Sequence, residues 1–165
     1  MREKLRKKII PSATGAAIPA SVNTIDIIRN AEVIATSESE NFPLDNIVDD
    51  STGPGSSQWV AGTSGQQTLN FKFDTPQNIT GIEYEIEERE IARTQEVCFE
   101  VSTDSGAHFR EILRHEYNFS PDGSTFQREE LKLALPQTTD LKMTIKPDKG
   151  NLDCRAKLNH IAFQA

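Results

Sequence analysis

Residues 69–87 read LNFKFDTPQNITGIEYEIE. Leu69, Phe71 and Phe73 alternate with Asn70 and Lys72, and Ile82, Tyr84 and Ile86 alternate with Gly81, Glu83, Glu85 and Glu87. Side chains of an extended chain point to opposite faces at every second residue, so each stretch offers one apolar face and one polar face. The DTPQN segment between them is turn chemistry, and the expectation is two strands joined by a turn.

The same signal recurs along the chain. EVIAT (32–36) reads as a strand, and Ile25, Ile27 and Ile28 form a short apolar run ahead of it. Val97, Phe99 and Val101 alternate with Glu96, Cys98 and Glu100, and Thr103-Asp104-Ser105-Gly106 turns the chain before a strand at 109–113. Leu131, Leu133 and Leu135 stop at Pro136; Leu141, Met143 and Ile145 stop at Pro147. Leu158, Ile161 and Phe163 close the chain, with one extra residue that suggests a bulge. About eight strands result, with a helical turn expected only within 42–50. Parallel βαβ units need intervening helices, so this pattern predicts an all-β, antiparallel sandwich or barrel.

The chain has 165 residues, 36% of them hydrophobic, which suffices for one domain with its own core. Residues 1–21 read as a tail, a basic run followed by a Pro/Ala-rich stretch, and 22–165 as the domain. The net charge is −7, yet residues 1–10 hold five basic side chains against one acidic, leaving −11 on the rest. A body this acidic repels phosphate backbones, which argues against a nucleic-acid partner. The stretch IIPSATGAAIPAS breaks its apolar residues with two prolines, so a signal peptide is not recognised and a cytoplasmic location is the default expectation. No run approaches a membrane span. Two cysteines, Cys98 and Cys154, make no disulfide framework, although one bridge between them stays open. By alternation Cys98 points away from the Val97 and Phe99 face, as an accessible thiol at best.

Residues 35–61, ATSESENFPLDNIVDDSTGPGSSQWVA, give the most specific pattern. A strand enters an Ala35-Thr36-Ser37 turn, followed by Pro43, Asn46-Ile47, Asp49 and Trp59-Val60-Ala61. This resembles the entry segment of discoidin (coagulation factor type C) domains of the galactose-binding-like superfamily. The strand–proline–strand unit at 69–84, the hairpin at 99–113 (FEVSTDSGAHFREIL), LKMTIKP and the closing LNHIAFQA are similar in order, so the resemblance covers 22–165. It implies a two-sheet β-sandwich of the jelly-roll kind, with Trp59 packed in the core rather than offered as a stacking platform.

The resemblance also places a ligand edge in the loops 38–42, 63–66 and 87–93 at one end of the sandwich. Phe42 would supply an apolar contact, Gln66 a polar one, and Arg89 and Arg93 planar donor forks for hydroxyls or a carboxylate. The competing reading of EIEEREIARTQE (85–96) is a solvated, charged hairpin. Asp45, Asp49 and Ser51, beside Asn46 and Asp50, form an acidic turn in which many carbohydrate-binding relatives hold a structural Ca²⁺. Here the path from Asp49 to Trp59 is longer than usual, and the closing strand reads Leu158-Asn159-His160-Ile161 where relatives often place a glutamate ligand. An ion-free, hydrogen-bonded turn is therefore the alternative.

No catalytic set emerges. His108 and His115 lack zinc-helix spacing, His160 stands alone, neither cysteine belongs to a CxxC motif, and the glycine pairs at 53–55 and 62–65 lack a P-loop lysine. The resemblance and these absences imply a non-catalytic module that recognises a glycan or other small polar ligand. Alternatives are a protein-interaction adaptor using the basic tail, and further off a DNA-repair-type scaffold or a sugar-active enzyme.

Overall fold

The computed structural model describes residues 24–165; the expected tail at 1–21 lies outside them. Asp26 caps a single helical turn, α1 (Ile27–Asn30), by accepting the Arg29 amide at 3.2 Å. Eight strands follow: β1 (Ala31–Ala35), β2 (Trp59–Val60), β3 (Gln67–Glu87), β4 (Arg93–Ser102), β5 (Arg110–Phe119), β6 (Phe126–Lys146), β7 (Lys157–Leu158) and β8 (His160–Gln164). The helical turn expected within 42–50 is a 3-10 turn at Leu44–Val48.

The strands expected to break near 74–81 and at Pro136 do not break. β3 and β6 are each 21 residues long and pair with each other from Gln67↔Ile145 to Glu87↔Phe126. Register shifts between Lys72 and Gly81 absorb the irregular residues. Pro136, which has no N–H to give a ladder, sits in that shifted stretch, and Gln137 beside it takes a positive φ of 54°. The bend divides the paired strands between two layers. One runs β1–β3–β6–β4–β5 through residues 67–73 of β3 and 140–146 of β6. The other sets residues 81–87 of β3 between β8 and the first part of β6. The extra residue expected in the last segment is Asn159, where the chain leaves the small β2–β7 pair and joins β3.

Buried aromatic rings join the layers. Phe163 of β8 lies edge-on to Phe71 (5.1 Å between centroids) and Phe73 (5.8 Å) of β3, and Tyr84 tilts against Phe99 at 5.5 Å. Trp59 is fully buried, and its indole N–H donates to the Ser37 carbonyl at 3.0 Å. Both cysteines are free and buried. Cys98 does point to the outer face of its layer, but it is only 6% exposed, so the accessible thiol expected from alternation is corrected. Burial pushes that thiol's pKa up, against a smaller opposing pull from Arg114.

Antiparallel order brings the end of β1, the starts of β3 and β4, and the ends of β5 and β6 together at one end. Loops 36–43, 61–66, 88–92, 120–125 and 147–156 therefore share that end. Phe163→Ala is expected to cost about 3–5 kcal/mol in urea unfolding, because it opens a cavity between the layers. Ile34→Ala, at a side chain 46% exposed, should stay within about 0.5 kcal/mol. Equal losses at both positions would contradict this packing.

Candidate functional site

The loop after β1 is folded tightly against β2. Ser39 N donates to Val60 O at 2.9 Å, Phe42 N to Ser39 O at 3.1 Å, and Val60 N to Phe42 O at 3.2 Å. Gly62 is required here, since a Cβ would lie 2.7 Å from the Glu38 carbonyl oxygen. Its amide donates to the Ser37 hydroxyl at 2.8 Å. With its backbone fixed in this way, the Phe42 side chain stands 44% exposed at the loop end. Segment 154–156 is tied to the same loops, Ala61 N donating to Ala156 O (2.9 Å) and Gly65 N to Cys154 O (3.0 Å). That brings Arg155 into reach of Ser39 Oγ and Ala61 O, both at 3.4 Å. Arg155 is exposed and has no ion pair among the described residues. Leu152, 49% exposed, belongs to the same end.

Sequence reasoning missed Arg155. Its signal was the CRAKL run (154–158), where Cys154, Ala156 and Leu158 are buried and Arg155 between them is exposed.

Of the two arginines expected at the ligand edge, Arg93 is buried and Arg89 is paired with Glu87. Arg93, only 4% exposed, does not face a ligand. Its guanidinium donates to Glu88 (3.2 Å), Gln95 (3.2 Å) and the Pro147 carbonyl (2.6 Å), and lies 4.9 Å from the Phe119 ring centre. The cause is Glu88, whose Oε2 caps the turn by accepting the amides of Glu90 (3.0 Å) and Ile91 (3.2 Å). A carboxylate drawn inward like this needs cations, and Arg93 and Lys157 (3.2 Å) supply them. Burial alone would raise the Glu88 pKa, but the Glu90 amide, Lys157 and Arg93 together hold it below the usual value.

Arg89 is exposed, but its Nε is committed to Glu87 at 2.7 Å, over the 53–55 loop. The solvated-hairpin reading is also corrected, because Glu85, Glu87 and Glu88 are buried. Glu85 and Glu87 accept the amides of Gly53 and Gly55, each at 2.8 Å, and so fold the long STGPGSSQ insertion onto β3.

In the acidic turn, Asp49 Oδ1 accepts the Ser51 amide (3.0 Å) and hydroxyl (2.8 Å), and Oδ2 accepts the Ser57 hydroxyl. Asn46 donates to the Gln58 carbonyl at 2.7 Å. In place of a glutamate on the closing strand, Asn159 accepts from Gln58 and from the Glu87 amide, both at 2.9 Å, and donates to Ser56. Among the described residues no group of three or more His, Cys, Asp or Glu side chains is placed to hold a metal. Asp49 and Ser51 are thus hydrogen-bonded to each other and to Ser57, whereas a calcium shell needs six to eight oxygens directed at one point.

Residues 32–151 match the family model of the F5/8 type C domain. The chain belongs to the F5/8 type C domain family. Among solved structures it is similar to CBM32-3 from a family 31 glycoside hydrolase of Clostridium perfringens (TM-score 0.63, 16% identity, 86% of this chain and 94% of that one). It is likewise similar to the family 32 CBM of C. perfringens NanJ in complex with galactose (TM-score 0.61, 12% identity, 87% and 98%). A third similar structure is CpGH89CBM32-4 of C. perfringens, in complex with GlcNAc-α-1,4-galactose (TM-score 0.60, 17% identity, 88% and 97%). No curated protein sequence matches the chain.

In this F5/8 type C domain Gln66 is exposed, on the rim of a pocket of about 220 Å³ over the outer face of the five-stranded layer. The loop end therefore gathers Phe42, Ser39 and Arg155, while Gln66 faces the sheet and Arg93 faces the core. Arg93→Ala is expected to lower stability by about 3–5 kcal/mol in denaturant titration, since it weakens the compensation of a buried carboxylate; a neutral change would contradict that role. Excess calcium or EDTA should move the melting temperature by less than about 1 °C. A site saturated at 100 times its Kd would add about 2.7 kcal/mol, a rise of several degrees that would restore the calcium reading.

Proposed function

We propose that this domain is a non-catalytic carbohydrate-binding module that takes a sugar at its loop end. The observation that carries this reading is the pairing of an exposed aromatic ring, Phe42, with an exposed guanidinium, Arg155, that has no ion pair among the described residues. The C–H face of a pyranose is apolar and packs on an aromatic ring, while its hydroxyls suit a planar fork of donors. Ser39, within 3.4 Å of Arg155, adds a hydroxyl to the same edge. The rigid backbone around Phe42 lowers the ordering cost of binding.

The galactose and GlcNAc-α-1,4-galactose complexes of similar structures support a sugar as the ligand. The three histidines are committed elsewhere: His108 to Asp104 (2.7 Å), His115 to the Tyr84 hydroxyl (3.2 Å) and His160 to Glu83 (3.1 Å).

Isothermal titration with galactose and with GlcNAc-α-1,4-galactose tests the reading. Phe42→Ala and Arg155→Ala are each expected to weaken binding by about tenfold, or roughly 1.4 kcal/mol, with the melting temperature unchanged. Binding that survives both substitutions, or no binding across a broad glycan array, would overturn it.

A further inference from the structure

The pocket beside Gln66 is separate from the loop-end edge. Its floor is the cross-strand row Arg114, Cys98 and Thr144 on the outer face of β5, β4 and β6. Glu96 and Glu100 flank Cys98 along β4, and Lys146 lies two residues beyond Thr144. The volume of about 220 Å³ suits one sugar-sized unit.

The charges around it are unequally committed. Glu96 meets Arg114 at 2.8 Å and Lys149 at 3.8 Å, Arg114 also meets Glu111 at 2.6 Å, and Glu100 faces Lys142 at 3.8 Å. Lys146 alone among the lining charges has no ion pair or hydrogen bond among the described residues. Lys146 stands directly across the β4–β6 ladder from Glu96, but that carboxylate is engaged by Arg114 and Lys149, so the Lys146 ammonium gains most from an anion that is desolvated along with it. Carboxylates already held by cations still have lone pairs to accept from hydroxyls, and Gln66 and Thr144 can both donate and accept.

We propose that this pocket binds a single acidic monosaccharide unit, a uronic acid, with its carboxylate on Lys146 and its hydroxyls on Glu96, Glu100, Gln66 and Thr144. The inference rests on the carbohydrate reading for the kind of ligand, but on a different set of residues for the site. Selection comes from one short-range contact, since the acidic body as a whole does not attract anions.

The test is amide chemical-shift titration of the full chain with galacturonate and, separately, with galactose. Galacturonate is expected to bind at least tenfold more tightly here than galactose and to shift the amides of Cys98, Thr144 and Lys146. Lys146→Gln should abolish the preference, whereas Phe42→Ala should leave it intact. Raising salt from 50 to 500 mM should weaken galacturonate binding and leave galactose unaffected. Equal affinity for the two sugars at this pocket, an unchanged preference in Lys146→Gln, or galacturonate shifts confined to Phe42 and Arg155 would overturn the proposal. Galactose binding lost in Phe42→Ala while galacturonate still shifts Thr144 supports both sites. Galacturonate at the pocket with no neutral sugar at the loop end would sink the loop-end reading alone.

Discussion

β3 and β6 remain hydrogen-bonded to each other along most of their 21 residues while the pair bends, and the rest of the molecule depends on that bend. Residues before it build the five-stranded layer, and residues after it build the opposite one. Because the two strands serve both layers, the spacing that Phe163 fills against Phe71 and Phe73 is set by backbone pairing as well as by side-chain packing. The bend also decides which loops meet. With the strands antiparallel throughout, alternate connections fall at one end, which is how Phe42 and Arg155, far apart in sequence, share a surface.

Buried charge organises that end. Glu85, Glu87 and Glu88 follow one another closely along β3 and the loop after it, yet each is covered, because backbone amides and cations replace their water. Glu85 and Glu87 hold the glycine-rich insertion, and Glu88 recruits Arg93 and Lys157. Arg93 thereby becomes an internal strut between the loop at 88–92, β4 and the chain after β6. Arg155 and Lys146 lie outside this network and have no ion pair among the described residues.

Strand content and the apolar face of each strand were legible in the sequence because each is a local, period-two property, and burial of Trp59 followed from the resemblance to discoidin domains. Continuity through Pro136 was not, since a proline marks a strand end unless the register shifts around it. Phe42 was readable as an apolar residue in a polar loop. Arg93 was misread because the alternation of β4 gives its face but not the presence of Glu88 opposite it. Arg155 was missed because its setting depends on Ala61 and Gly65, nearly a hundred residues away. Asn159 was seen as a departure from the glutamate pattern, but its hydrogen bonds to Gln58, Ser56 and the Glu87 amide exist only once the insertion folds back.

The central claim is that the loop end recognises a sugar through an aromatic face and an exposed guanidinium. A crystal structure of the chain with bound galactose tests it most directly. The account predicts a pyranose ring packed on Phe42, with at least one hydroxyl within hydrogen-bond distance of Arg155. Galactose seated against Arg89, or lying on the outer sheet face away from Phe42, would contradict it.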